Sequence, residues 1–179
     1  MSMSDENYIS VDIEAAGPIP GVYSMLSIGA CHIYNESTRF TCELKPINLN
    51  FIPDALNVTG LSLDELAERG LEPVDAMYKF AAWLDSIDEP DQRLVFVGFN
   101  APFDWSFINY YFHRYHQSNP FGFAALDIKA FYMGKTKCKW EDTTSSKISN
   151  KLSPSLSGNH NALHDALYQS ELFRLIRAL

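Results

Sequence analysis

The segment YISVDIE (8–14) alternates strictly, with Ile9, Val11 and Ile13 on one side and Tyr8, Ser10, Asp12 and Glu14 on the other. A period of two predicts a strand. Breaker-rich AAGPIPG (15–21) follows as a loop. SMLSIGACHIY (24–34) and RFTCELKP (39–46) predict two further strands, and the short NES link suggests a hairpin. Residues 47–60 are irregular, ending in VTG. SLDELAER (62–69) predicts a short helix with Ser62 as N-cap and Glu65 at the capping-box position. PVDAMYKFAAWLDS (73–86) puts Met77, Phe80, Ala81 and Leu84 on one helical face. LVFVGF (94–99) is almost wholly apolar, which fits a central strand covered on both faces. The next helix, about 102–116, carries Phe103, Phe107, Ile108, Tyr111, Phe112 and Tyr115 at helical spacing, which favours core packing. FAALDIKAFYM (123–133) predicts a fifth strand and a helical turn, 134–159 is the least regular stretch, and 161–179 closes the chain as a helix.

The order β-β-β-α-β-α-β-α favours an α/β fold, a mixed sheet with helices on its faces. With no repeat and no linker, a single domain over 1–179 is expected. The hydrophobic share of 46% and charged share of 20% fit a soluble globular protein, and no apolar run approaches membrane-spanning length. The start, MSMSDENYIS, lacks the basic and apolar regions of a secretory signal. Cys31, Cys42 and Cys138 form an odd set without metal-ligand spacing, so a reduced, cytoplasmic setting is expected. The net charge of -8 argues against broad binding of long duplex nucleic acid, though not against a site that meets phosphate through bound cations. Charge is also uneven: segment 133–159 sets five lysines against Glu141 and Asp142, so it carries +3 and the rest -11.

Asp12 and Glu14, two apart on a strand, leave the same face. Two carboxylates near a core repel and are costly to desolvate, and a bound divalent cation would offset both costs. An exposed edge strand with its polar face in water gives the same alternation. Asp104 follows the apolar strand at the first turn of a helix, where an acid caps free N–H groups; the carboxyl end of a buried strand is also where α/β sheets bind ligands. Asp165 heads a stripe with Gln169, Leu172 and Ile176, or is an ordinary first-turn acid. His160 lies five residues before Asp165, whereas His164 is adjacent, about 100° round the helix.

D-x-E on a first strand, N-A-P-F-D after a central strand and H-x-x-x-x-D at a last helix occur here in one order over about 8–176. Together they resemble the DEDDh exonucleases that digest from the 3′ end, a family including proofreading exonucleases, ribonuclease T and oligoribonuclease. The resemblance implies a ribonuclease H-like fold, with a five-stranded mixed sheet whose strand 2 is antiparallel to the rest. It matches Asp12, Glu14, Asp104 and Asp165 to the metal ligands, and His160, not His164, to the catalytic base. The sister family with tyrosine four residues before the aspartate is disfavoured, because Asn161 stands there. The cofactors implied are two divalent cations, Mg²⁺ or Mn²⁺, as oxygen ligands prefer. Asp12 would bridge them, Glu14 and Asp165 would complete the nucleophile side, and Asp104 would reach the other ion. The implied substrate is the 3′ end of single-stranded or short DNA or RNA, shortened by one nucleoside 5′-monophosphate at a time. Ala15 and Ala16 would offer backbone to the terminal nucleotide. Leu61 would be a stacking surface for its base, or a buried loop anchor. The lysines of 135–151 would steer phosphate backbone or form a plain solvated loop.

The sequence departs from the family pattern at Ala15-Ala16 (often Thr-Thr), Ser27 (often Glu) and Phe99 (often His). None removes a metal ligand or the base. Segment 134–159 lacks the helical pattern often found before the third motif. Asp127 fits a structural turn acid better than a fifth ligand. Two other functions stay open: a non-catalytic nucleic-acid-binding or polymerase-associated subunit, and a phosphoesterase for small nucleotides. DNA or RNA preference, a homodimer and a polymerase partner are likewise open.

Overall fold

The computed structural model describes residues 6–87 and 92–179, so half of the MSMSDENYIS start lies outside the described residues. Five strands form one sheet: β1 (Glu6–Ala15), β2 (Met25–His32), β3 (Asn35–Glu43), β4 (Arg93–Gly98) and β5 (Ala125–Asp127), in the order β3-β2-β1-β4-β5. β2 runs antiparallel to β1 and to β3, while β1, β4 and β5 are mutually parallel. β2 is therefore the strand opposed to the others, as expected.

β1 is central, so both of its faces are covered: Ile9 and Ser10 are each fully buried. Ile9, Val11 and Ile13 pack against α3 (Pro73–Ile87) and α4 (Pro102–Tyr115) through Phe80, Phe107 and Phe112. The opposite face lies under α5 (Ile128–Thr136) and the last helix (Ala162–Arg177), where Tyr8 and Val97 meet Tyr132, Leu172 and Phe173. Gly29 permits the last helix to come this close: a Cβ there would meet the Ala162 carbonyl carbon at 2.1 Å. Gly29 is the cross-strand partner of Asp12, so the start of that helix is pressed against the acid-bearing part of the sheet. The edge-strand alternative for 8–14 is thereby excluded.

Three expectations need correction. Residues 47–60 contain a helix, α1 (Pro53–Thr59), none of whose residues is buried, so no apolar stripe marked it. It precedes α2 (Leu63–Arg69), where Ser62 caps as expected by accepting from the Glu65 N–H. Segment 134–159 holds a 3-10 turn (Trp140–Asp142) and α6 (Ser145–Leu152), which makes the closing helix α7. Ile148 is the one buried residue of α6; the helix is held to α7 by Ser145 and Ser149 hydroxyls on the Tyr168 hydroxyl. The β2–β3 hairpin turns at Ile33–Tyr34 rather than at NES. Ile33 is drawn inward because its N–H donates to the Tyr8 carbonyl and its own carbonyl accepts from Arg174 at 2.6 Å. Among the described residues, no helix is long and apolar enough to cross a membrane.

Candidate active site

The β1–β4 ladder ends at Ser10–Val97, after which β4 turns away. The Ile13 N–H beyond that point needs a partner, and Asp104 Oδ1 accepts it at 3.0 Å. Asp104 thus reaches from α4 to β1 while also accepting its own first-turn N–H, in a helix whose N-cap Ala101 makes no side-chain bond. The turn delivering it is set by Asn100, in the left-handed region at φ 61°, and by Pro102 at the helix start. Asp127 holds the turn in place: one carboxylate oxygen accepts the Ala101 N–H at 2.7 Å, the other the Ala130 N–H at 2.7 Å as the N-cap of α5. The expectation of a structural acid there agrees with this geometry.

At α7 the Asn161 side chain accepts from the His164 N–H, which starts the helix. Asp165, in the first turn, accepts the N–H groups of Asn159 at 2.8 Å and His160 at 3.0 Å. That double acceptance pins His160 at φ 61°, a conformation that costs a non-glycine residue about 1–2 kcal/mol. One ligand atom from each of Glu14, His160 and Asp165 lies within 4.8 Å of the others. The imidazole of His164 has its Nδ1 3.6 Å from Asp165 but is outside this group. Glu14, Leu61 and His160 also line one small cleft of about 70 Å³, together with Ser27, Thr41 and Leu163.

Electrostatics join the remaining acids to this group. Burial, then the charges of Asp104, Glu14 and Asp165, hold Asp12 well above the usual carboxylate range. Burial, then Asp165 and Asp104, push Glu14 up to about 8. Burial pushes Asp104 up to about 7, with Asp127 and Asp165 adding to it and the N–H groups of Ile13 and Asp104 itself opposing. The physical cause is the same throughout: low-dielectric surroundings and like charges disfavour ionisation. A set of buried, mutually repelling oxygen donors with one imidazole beside it fits hard divalent cations, which restore the charged forms.

Ala16 is fully buried, with its N–H donated to the Ser24 carbonyl and its carbonyl accepting from Ile52. Its N–H is therefore already used, and it meets Leu61 through the apolar cluster it shares with Leu26, Leu63 and Leu66. Ala15, buried at the β1 bulge, pairs with Met25. Sequence reasoning placed Gln169 only on a helix stripe. Its amide donates to Asp12 Oδ1 and accepts the Phe99 N–H at 2.9 Å, joining α7, β1 and the end of β4. The available signal was its place four residues after Asp165, on the same face.

Residues 9–173 match the family model described as exonuclease, RNase T. The chain is 57% identical over 176 residues to the 3′-5′ DNA exonuclease Cap18 of Escherichia coli, covering 98% of this chain and 94% of that one. Among solved structures, the nuclease domain of 3′hExo, a DEDDh family member bound to rAMP, superposes with a TM-score of 0.78 at 16% identity, covering 97% of this chain and 92% of that one. Pop2p of S. pombe, in its Mg²⁺- and Mn²⁺-bound form, gives 0.66 at 15% identity, covering 97% and 83%. At such low identity these two similarities speak for the fold alone.

Proposed function

The chain belongs to the DEDDh exonuclease family and is a 3′–5′ exonuclease; from that premise we propose that it shortens single-stranded or short DNA, releasing one nucleoside 5′-monophosphate per cycle. The preference for DNA follows the relative at 57% identity, whose name carries that substrate. The observation that carries the catalytic reading is the convergence of Glu14, His160 and Asp165 within 4.8 Å, with Asp12 and Asp104 in electrostatic contact with the same group.

Asp12, Glu14, Asp104 and Asp165 would hold two divalent cations, Mg²⁺ or Mn²⁺. Such ions, when bound, neutralise the acids and the phosphate and lower the pKa of a water. His160, exposed at the cleft and fixed by Asp165, accepts the proton of the attacking water. The new P–O bond forms from that water and the bond from phosphorus to the upstream 3′-oxygen breaks. The strand leaves with a 3′-hydroxyl and the released nucleotide keeps its 5′-phosphate. Leu61 supports the terminal base, and Ala15, at the β1 bulge, offers backbone to the terminal nucleotide, whereas the backbone of Ala16 is already used by Ser24 and Ile52. Gln169 keeps Asp12 in one orientation. Single-domain organisation over 1–179 belongs to this reading, as does a reducing cytoplasmic setting, which suits three free cysteines.

The test is digestion of 5′-labelled short DNA and RNA with Mg²⁺ or Mn²⁺, with Asp12→Ala as control. A ladder descending one nucleotide at a time, faster on DNA and absent in the variant, is expected. Absence of a ladder from either strand with either ion would reject catalysis and favour the binding-subunit alternative. Cleavage of RNA alone would reject the substrate assignment.

A further inference from the structure

Trp140 is 54% exposed, a large aromatic surface left in water on a short 3-10 turn. The Lys129 ammonium lies 4.4 Å from its ring centroid. Lys129 sits in the first turn of α5, the helix capped by Asp127. The same Asp127 carboxylate holds the Ala101 N–H in the turn that delivers Asp104. The Trp140–Lys129 pair is therefore attached to the site end of β5, whereas the cleft with Leu61 and His160 opens over β2 and β3. Glu14 lines that cleft, while Asp104 is carried by the turn that Asp127 holds.

Charge separates in the same direction. The segment around Trp140 carries +3 in a chain of net -8. Its cations are not fully used within the protein: Lys137 makes no ion pair among the described residues, and Lys139 meets Glu141 only at 3.7 Å, with both side chains exposed. A half-exposed aromatic ring with a lysine over one face and further lysines near it in sequence matches a strand of stacked bases and phosphates. We propose that Trp140 and Lys129, with Lys139, form a platform for the part of a single strand upstream of the scissile bond. This rests on the exonuclease reading above and deepens it: the terminal nucleotide occupies the Leu61 side, and preceding bases pass over the acids to stack on Trp140.

The test measures anisotropy of 5′-fluorescein-labelled dT3 and dT12 with Ca²⁺ in place of Mg²⁺, beside release of dTMP in Mg²⁺. Trp140→Ala should weaken dT12 binding about ten-fold and leave dT3 within about two-fold, and Trp140→Phe should recover most of the loss. Lys129→Ala combined with Lys139→Ala should reduce the slope of log K against log salt for dT12 by about 1.4, roughly 0.7 for each phosphate no longer neutralised by a lysine. Unchanged dT12 affinity in Trp140→Ala, or equal weakening of dT3 and dT12, would overturn the platform. Failure of the exonuclease reading looks different: the wild type would release no dTMP while the length-dependent loss in Trp140→Ala persisted.

Discussion

The two faces of β1 are built from alternate residues of one strand and do opposite work. Ile9, Val11 and Ile13 enter a dry cluster of aromatic and aliphatic side chains beneath α3 and α4. Asp12 and Glu14 enter a space nearly as buried beneath α7, where burial and neighbouring acids hold both above their ordinary range. The apolar face stabilises the fold by removing hydrocarbon from water. The acidic face costs stability when left without cations and gives the chain its chemistry. A functional site placed inside a sheet sandwich is therefore a local violation of the rules that the rest of the sheet obeys.

The sharpest way to break this contrast is Asp12→Asn. Turnover should fall about ten-thousand-fold, ~5 kcal/mol of transition-state stabilisation. The cation-free protein should melt no lower than wild type, because a carboxyl whose ionisation is disfavoured there has been replaced by a neutral amide. A lower melting temperature would place Asp12 among the stabilising residues instead. Phe80→Ala, on the opposite face, should reverse both effects. Phe80 is fully buried against Phe40, Trp83 and Phe112. Its truncation should cost about 3–5 kcal/mol by denaturant unfolding, while kcat at low temperature stays within a few-fold of wild type. Loss of kcat without loss of stability would mean that the two faces are not separable.

Next in size is the choice of histidine. His160→Ala should lower kcat by about a hundred- to a thousand-fold, within the range for a general base, and His164→Ala by less than about three-fold. Equal losses would remove His160 from its assigned role.

A smaller effect is expected from pH. Glu14 and Asp104 titrate at about 8 and 7 in the fold, against about 4 when unfolded. Between those values the native state binds more protons than the unfolded state, so stability falls as pH rises. Melts in EDTA should therefore decline from about pH 5 to pH 8, with most of the loss gone in Glu14→Gln/Asp104→Asn. Melting that is flat or rises over that window would contradict the burial of uncompensated acids.

Much of this contrast was legible in the sequence because it depends on period and spacing. The alternation at 8–14 marked both faces of β1, and three short motifs in order marked the acids and His160. The parts not legible are held by polar interactions that no period records. The α6 helix buries only Ile148 and hangs on two serine hydroxyls, so its sequence looked irregular. Gln169 looked like one more position on a helix stripe, because its partner Asp12 is 157 residues away. The N–H of Ala16, assigned to substrate from the family pattern, is used by Ser24, and such a partner emerges only once the loop is folded.

Isothermal titration of the metal-free protein with Mn²⁺ at pH 7.5, in two buffers of different ionisation enthalpy, tests the central claim most directly. The expected result is two ions per chain with net proton release, since cations displace the proton held chiefly by Glu14, and loss of binding in Asp12→Asn. No binding heat in the wild type, or binding without proton release, would contradict a cation site built from those buried acids.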